Sequence, residues 1–123
     1  PYGEADAFLC PVCRSKPPHR LATLAFERHP EWFEGTGVLL HVAPEVAVAK
    51  ILRGIAAARG MTYRCGGITG QGAEHLDLLA LPFEDHGVSF IYCCHVLNCM
   101  QDDRGAMREI HRVLHPQGVA LLQ

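Results

Sequence analysis

Two cysteines near the start of the chain, Cys10 and Cys13, have the spacing of a metal-binding pair. The two intervening residues let both thiolates reach one tetrahedral ion, and His19 follows six residues after Cys13. One hypothesis is therefore a zinc site with Cys10, Cys13 and His19 as ligands. Because a single C-x-x-C is a weak signal, unliganded thiols and a site completed by another chain are alternatives. A thioredoxin-type redox role fits less well, since that motif follows a strand and opens a helix.

Further reactive side chains, Cys94 and His95, lie at the end of an apolar run in the last third of the chain. Residues 88–94 are rich in branched and aromatic side chains, which predicts a buried strand. An amphipathic helix pattern follows, and residues 119–122 predict another strand. Such a crossover builds parallel sheets, whose ligands bind at the carboxyl ends of the strands. We therefore expect residues 93–98 to lie at a binding edge.

The rest of the chain predicts a sheet of the same kind. The spacing of apolar residues predicts helices over residues 17–33, with a break at Pro30, and 44–58, and strands over residues 38–42, 61–65 and 75–78. Asp102 and Asp103 favour a helix start, and the string HPQG at residues 115–118 should end that helix. The predicted fold class is α/β, a three-layer Rossmann-like and mostly parallel sheet of about five strands, shortened at its C-terminal side.

Composition bounds the organisation and the partners of this chain. Its 123 residues suit a single domain over residues 1–123, with an irregular cysteine-containing segment at residues 1–16. A net charge of −2 without a basic stripe argues against duplex nucleic acid, and the apolar runs are too short for a membrane span. Irregular cysteine spacing and the absence of a signal-like start indicate free thiols in the cytoplasm. The unpaired final strand predicts either a fragment or a homodimer through that edge.

Three strings carry a resemblance to a known family: GVLLHVAPE at residues 37–45, LDLLALPFED at 76–85 and CCHVLNCMQDDRGAMREIHRVLHPQG at 93–118. Together they resemble the class I S-adenosylmethionine-dependent methyltransferases, in particular the type 11-like group with LHxAPE and an N-terminal C-x-x-C. The resemblance covers roughly residues 9–123. It implies a methyltransferase fold, S-adenosylmethionine as cofactor, and methyl transfer to a small-molecule or protein acceptor that the sequence does not identify.

The resemblance also implies positions for the cofactor. The loop Ala43-Pro44-Glu45 should approach its methionine part, where Glu45 would meet the amino group or simply favour a helix start. Asp77 matches the acid near the adenine amino group, although it could instead cap the following turn.

The remaining implied positions are an apolar wall and a basic group. Leu78 would form the wall beside the adenine ring. Cys94 and His95 would line the pocket, and His95 would be the catalytic acid–base residue. The alternative for His95 is a hydrogen bond to a neighbouring backbone carbonyl.

Two departures from the family pattern weaken this interpretation. Gly67 stands where the family usually has an acid for the ribose hydroxyls, and Asn98 replaces a carboxylate after the fourth strand. A second hypothesis is therefore a catalytically degenerate binding or regulatory module of the same fold. A third hypothesis, from another class, is a small zinc- or thiol-dependent protein that uses the cysteine pair.

Overall fold

The structure, a computed structural model, describes residues 8–70 and 74–123. Within these residues five strands form one sheet: β1 (Val38–Val42), β2 (Thr62–Gly67), β3 (Glu74–His75), β4 (Val88–Cys93) and β5 (Leu114–Leu122). They lie in the spatial order β3-β2-β1-β4-β5, and every pair is parallel. The strand order reverses between β1 and β4. Parallel sheets bind ligands where this reversal occurs, at the carboxyl ends of the two strands.

Helices cover both faces of the sheet: α1 (Pro17–Arg28), α2 (Val46–Arg59) and α3 (Asp103–Val113). The first two pack on the face that carries Leu39 and Phe90, and α3 packs on the face that carries Leu40 and Ile91. Because both faces are covered, β4 is buried throughout its apolar run, as its composition predicted. The three-layer α/β prediction is confirmed. None of the helices in the described ranges is both long and apolar enough to cross a membrane.

The first predicted helix breaks at Pro30, as the sequence predicts. It ends at Arg28, and a separate 3-10 helix spans Pro30–Phe33. Proline cannot donate the hydrogen bond that would continue the α-helix. The turn brings the Phe33 ring edge-on to Phe26, with the ring centroids 5.7 Å apart. The apolar residues after Pro30 therefore belong to the core without belonging to the helix.

The predicted strand over residues 75–78 is also shorter and begins earlier. Only Glu74–His75 pairs with β2, and Asp77 forms an isolated antiparallel bridge with Ala80. A Cβ on Gly66 would lie 2.0 Å from the Glu74 carbonyl oxygen, so the short strand needs a glycine beside it. The glycine-rich string GGITGQG spans residues 66–72, and residues 71–73 lie outside the described residues.

The string HPQG does not separate α3 from the last strand as expected. Strand β5 begins at Leu114, opposite Val88, and its next partner pair joins Val119 to Phe90. The intervening residues 115–118 form a bulge, exposed at 115–117, which accommodates a proline and a glycine without ending the strand. The pairing resumed at Val119 carries β5 alongside β4 to the carboxyl end of the sheet.

Candidate functional site

An open cleft lies at the carboxyl ends of the strands, at the predicted binding edge. Its volume is about 900 Å³, within the usual range for small-molecule sites. Ala43 and Glu45 reach it from the end of β1, and Cys94 and His95 reach it from the end of β4. Segments far apart in the sequence form the remaining walls, among them Lys16, His19, Thr69, Met100, Gln101 and Asp102.

The chain leaves both central strands through a left-handed backbone conformation. Ala43 has φ 49° and His95 has φ 55°, values that residues with a side chain rarely adopt. Hydrogen bonds hold both positions: the Ala43 amide donates to the Gly66 carbonyl at 2.7 Å, and the His95 amide donates to the Gln123 carbonyl at 2.6 Å. A non-glycine residue in this conformation is strained and persists only where the surrounding structure holds it. Such residues are concentrated at functional sites.

The sharp turn at Ala43 separates Pro44 from the cleft. Pro44 lines a different hollow of about 420 Å³, beside Lys50 and Arg53 of α2. The Ala43-Pro44-Glu45 loop is thus divided between two hollows, and contact of Pro44 with a cofactor stays a prediction. Ala43 and Glu45 do line the same cleft.

Glu45 turns its carboxylate back toward β1 instead of capping α2. The residue stands at the N-cap, but its side chain makes no capping hydrogen bond. Its Oε2 lies 2.9 Å from Nε2 of His41, a wholly buried residue of β1. His41 Nδ1 lies 3.0 Å from the hydroxyl of Tyr63 on β2. Glu45 therefore stands at the helix start, but its carboxylate contacts β1 and makes no capping hydrogen bond.

Two further side chains face the same carboxylate. His19, from the first turn of α1, places Nε2 3.6 Å from Glu45 Oε1. Cys94, at the end of β4, brings its thiol against the carboxylate as well. Three elements therefore supply the surroundings of Glu45, and about a quarter of its side chain remains exposed to the cleft.

These contacts set the protonation of the group. Burial opposes ionisation of Glu45, but the hydrogen bond from His41, the backbone, and the charges of His41 and His19 outweigh it and lower the pKa of the carboxyl. Burial lowers the pKa of His19 against the raising effect of Glu45. Burial, with a further contribution from Glu45, raises the pKa of the Cys94 thiol. The site therefore holds an ionised carboxylate beside a neutral thiol.

His19, Glu45 and Cys94 also form the one group of three metal-type ligands in residues 8–70 and 74–123, with donor atoms within 4.8 Å of one another. Their donors are of the kinds that bind zinc. However, the Lys16 amide donates to Nδ1 of His19 at 3.3 Å, so Nε2 carries the ring proton. A proton on Nε2 and a neutral thiol suit donation to Glu45 better than metal binding.

The predicted zinc ligands Cys10, Cys13 and His19 are not brought to one point. His19 belongs to the cleft, whereas the cysteines lie in a tight loop closed by hydrogen bonds from the Arg14 amide to the Cys10 carbonyl and from the Cys10 amide to the Ser15 carbonyl, at 2.8 and 2.9 Å. The reason is that α1 starts at Pro17 and directs its third residue toward β1. Contacts with the Ser15 hydroxyl and backbone, then with Cys10, lower the pKa of the Cys13 thiol to about 7.

Asp77 and Leu78 both line the cleft on the side of β2. Asp77 accepts a hydrogen bond from the Leu79 amide at 2.9 Å through Oδ1, so it does cap the following turn. Its other oxygen is left for a ligand. Leu78 is almost fully buried in the core and presents an apolar surface to the cleft. Both roles considered for Asp77 are therefore compatible in one side chain.

Gly67 ends β2 at the cleft, without a side chain for a ribose. The nearby acid Glu74 does not replace it, because both its oxygens bind the guanidinium of Arg64. Thr69 lines the cleft close by and offers a hydroxyl. Sequence reasoning missed Thr69, since nothing in a glycine-rich loop indicates which side chain turns inward.

His95 lines the cleft with an exposed side chain, at the start of the turn that follows β4. Asp102 lines the cleft too, and accepts the Gly105 amide at 2.7 Å as the N-cap of α3. The sequence identified Asp102 only as a helix start. Its position at the cleft follows from the short 3-10 turn Leu97–Cys99, which returns the chain to the edge of the sheet.

Comparison with solved structures identifies relatives of this fold. A Methanococcus maripaludis protein assigned to the S-adenosyl-L-methionine-dependent methyltransferases is 19% identical, with a TM-score of 0.53 over 85% of this chain and 53% of that one. The YcgJ protein of Bacillus subtilis is 20% identical, with a TM-score of 0.52 over 85% of this chain and 50% of that one. The [4+2]-cyclase SpnF is 22% identical, with a TM-score of 0.51 over 85% of this chain and 44% of that one. The chain thus spans about half the length of these structures, and the likeness establishes its fold.

Comparison with protein families is more specific. None of the curated proteins matches the chain. A family model described as a methyltransferase domain matches residues 35–122, which is more than two thirds of the sequence and includes the ends of β1 and β4. The chain therefore belongs to the methyltransferase domain family.

Proposed function

We propose that this domain binds S-adenosylmethionine in the cleft and transfers its methyl group to an acceptor. The observation that carries the proposal is the pairing, across neighbouring parallel strands, of an ionised carboxylate at the end of β1 with the open turn after β4. The cleft volume suits a nucleoside joined to an amino acid. Family membership supports the reaction class.

The cleft has different chemistry at its two ends, which supports one orientation of the cofactor. Asp77 and Leu78 offer a carboxylate oxygen and an apolar surface on the β2 side, suited to an adenine ring. Glu45 lies at the other end, beside the turn at Ala43, and suits the methionine part. The sulfonium would then lie between them, near Cys94 and His95.

Methyl transfer from a sulfonium needs mainly in-line positioning of a nucleophile. S-adenosylmethionine would supply the methyl group: an acceptor nucleophile would bond to the methyl carbon, and the neutral thioether would leave with the electron pair of the broken bond. His95, exposed at the cleft, is positioned to remove a proton from acceptors that do not ionise on their own. Its substitution by alanine should then slow transfer to weakly acidic acceptors more than transfer to thiolates.

Calorimetric titration with S-adenosylmethionine and S-adenosylhomocysteine tests the proposal. We expect both to bind, and Leu78→Arg to abolish binding of both, because it places a guanidinium in the apolar wall. Exposed Met107→Arg is the matched control and should bind like the wild type. Absence of binding to the folded wild-type protein at millimolar ligand contradicts the proposal.

A degenerate binding module is the second candidate, and Gly67 favours it. Without an acid at the end of β2 the ribose loses a bidentate contact, which costs affinity. A protein that binds both nucleosides but converts no S-adenosylmethionine to S-adenosylhomocysteine with amine, thiol and phenol acceptors would support this candidate. Gly67→Asp should then tighten binding of both ligands.

A further inference from the structure

His41 is a polar side chain in the middle of the core. It is wholly buried, and its ring lies edge-on to Tyr63 and Tyr92, with centroids 6.2 and 5.1 Å away. Both ring nitrogens have partners: Tyr63 at Nδ1 and Glu45 at Nε2. It cannot reach a ligand in the cleft. Burying an imidazole costs free energy, which its two hydrogen bonds offset. Of the two partners, only Glu45 lines the cleft.

The direction of these hydrogen bonds is fixed by the carboxylate. An ionised carboxylate only accepts, so Nε2 of His41 must donate to Oε2 whichever way Tyr63 orients its hydroxyl. The protonated Nε2 of His19 faces Oε1 from α1. Glu45 is therefore held from its buried side by β1 and from its flank by α1. About a quarter of the Glu45 side chain remains exposed, and Glu45 lines the cleft, so part of its carboxylate is open to a ligand there.

We propose that His41 and Tyr63 are positioning residues, which aim the exposed edge of the Glu45 carboxylate at a primary ammonium group of the bound ligand. Under the proposed function, on which this inference rests, that group is the amino group of S-adenosylmethionine. An ammonium group carries three donors and one positive charge, and it complements an oriented carboxylate whose edge is exposed. A metal ion matches less well, because His19 and Cys94 both present protons.

Two ligands that differ only at the amino group test the proposal by calorimetry. One is S-adenosylhomocysteine, and the other is its deamino analogue, in which hydrogen replaces the amino group. The wild type should bind the first about 10- to 100-fold more tightly, the usual size of a charge-assisted hydrogen bond. Glu45→Gln and His41→Leu should each reduce this preference to below about threefold.

A conservative variant separates positioning from packing. His41→Gln keeps a donor near the position of Nε2 and should keep most of the preference, whereas His41→Leu has a similar volume and no donor. Asp77→Asn is the matched control on the β2 side of the cleft, and it should weaken the binding of both ligands by the same factor. A preference that survives in folded His41→Leu or in Glu45→Gln overturns the proposal. So does tight binding of Zn²⁺ alone that Cys94→Ser abolishes.

A measurement without ligand keeps this inference separate from the proposed function. Carbon-13 NMR titration of the Glu45 carboxyl, assigned with Glu45→Gln, should show the pKa rising in His41→Leu and rising less in Tyr63→Phe. If the wild type binds neither nucleoside while these pKa changes occur, the proposed function fails and the positioning role stands. Unchanged titration of Glu45 in both variants refutes the positioning role.

Discussion

At the scale of single residues, the site depends on where individual protons lie. Glu45 is an ionised carboxylate because His41 donates to it from the core. The sequence placed Glu45 after a strand and before a helix, which left its side chain free to cap the helix or to face a ligand. His41, four residues earlier on the inward side of β1, holds the carboxylate away from the helix cap, and contact with a ligand stays a prediction.

The lowered pKa of Glu45 makes part of the stability depend on pH. Its folded pKa lies below the ordinary value of 4.5, so the stabilisation is present above that value and is lost as pH falls through the folded pKa. We expect Glu45→Gln to flatten the acid limb of a plot of unfolding free energy against pH, measured with urea. The same plot for Glu109→Gln serves as the comparison, because Glu109 is another carboxyl with a lowered pKa and it lies outside the cleft. An acid limb of unchanged slope in Glu45→Gln would contradict this account.

The thiol of Cys13 should be unusually reactive for an exposed cysteine. Its pKa of about 7, lowered by Ser15 and Cys10, keeps a large thiolate fraction at neutral pH. We expect alkylation by iodoacetamide, followed by mass spectrometry, to show a midpoint near pH 7 at Cys13. Ser15→Ala should move that midpoint toward 9.0, the ordinary value. A midpoint that is unchanged in Ser15→Ala would show that the loop does not control the pKa of the Cys13 thiol.

Zinc binding by Cys10 and Cys13 stays a prediction.

At the scale of secondary-structure elements, close packing decides where strands begin and end. The apolar run of residues 88–94 predicted β4 almost to the residue, because burial on both faces needs a continuous apolar run. The boundaries of β3 and β5 could not be read in the same way. A two-residue strand beside Gly66 and a bulge that contains a proline depend on partners that lie elsewhere in the chain.

Two glycines provide a matched test of that packing. In Gly66→Ala the new methyl group would meet the Glu74 carbonyl oxygen at 2.0 Å, so β3 must separate from β2, and we expect a loss of about 1–3 kcal/mol of unfolding free energy. In Gly54→Ala nothing lies within 4 Å, and the exposed helical position should gain about 1 kcal/mol. Urea denaturation measures both. Equal effects of the two substitutions would be inconsistent with the close approach of β3.

At the scale of the whole molecule, the sheet divides the core into two clusters, and the cleft lies where both reach its carboxyl edge. Aromatic rings carry much of one cluster: Phe90 contacts Phe33 and Phe26 at centroid distances of 4.6 and 6.0 Å. The predicted homodimer through β5 stays a prediction, with β5 at one edge of the sheet.

Truncating an aromatic side chain of the core cluster that contains Phe90 should destabilise the whole fold. Phe90→Ala removes a fully buried ring and should cost about 3–5 kcal/mol, a large fraction of the stability of a domain this size. Leu24→Ala, at a half-exposed position of α1, should change the unfolding free energy by less than about 0.5 kcal/mol. Thermal and urea unfolding compare the two. A small loss in Phe90→Ala would mean that the cluster is not a continuous core.

The sequence by itself determined the layers and the binding edge. Runs of buried residues and helical spacing are local properties, and the ends of parallel strands share an edge by geometry, so Glu45 and His95 could be assigned to one cleft in advance. Only the tertiary structure decided which side chains turn into that cleft. Pro44 lines a separate hollow after the left-handed turn at Ala43, His19 contacts Glu45 and not the cysteine pair, and His41 forms a hydrogen bond with Glu45. These outcomes depend on contacts between elements, which no local pattern encodes.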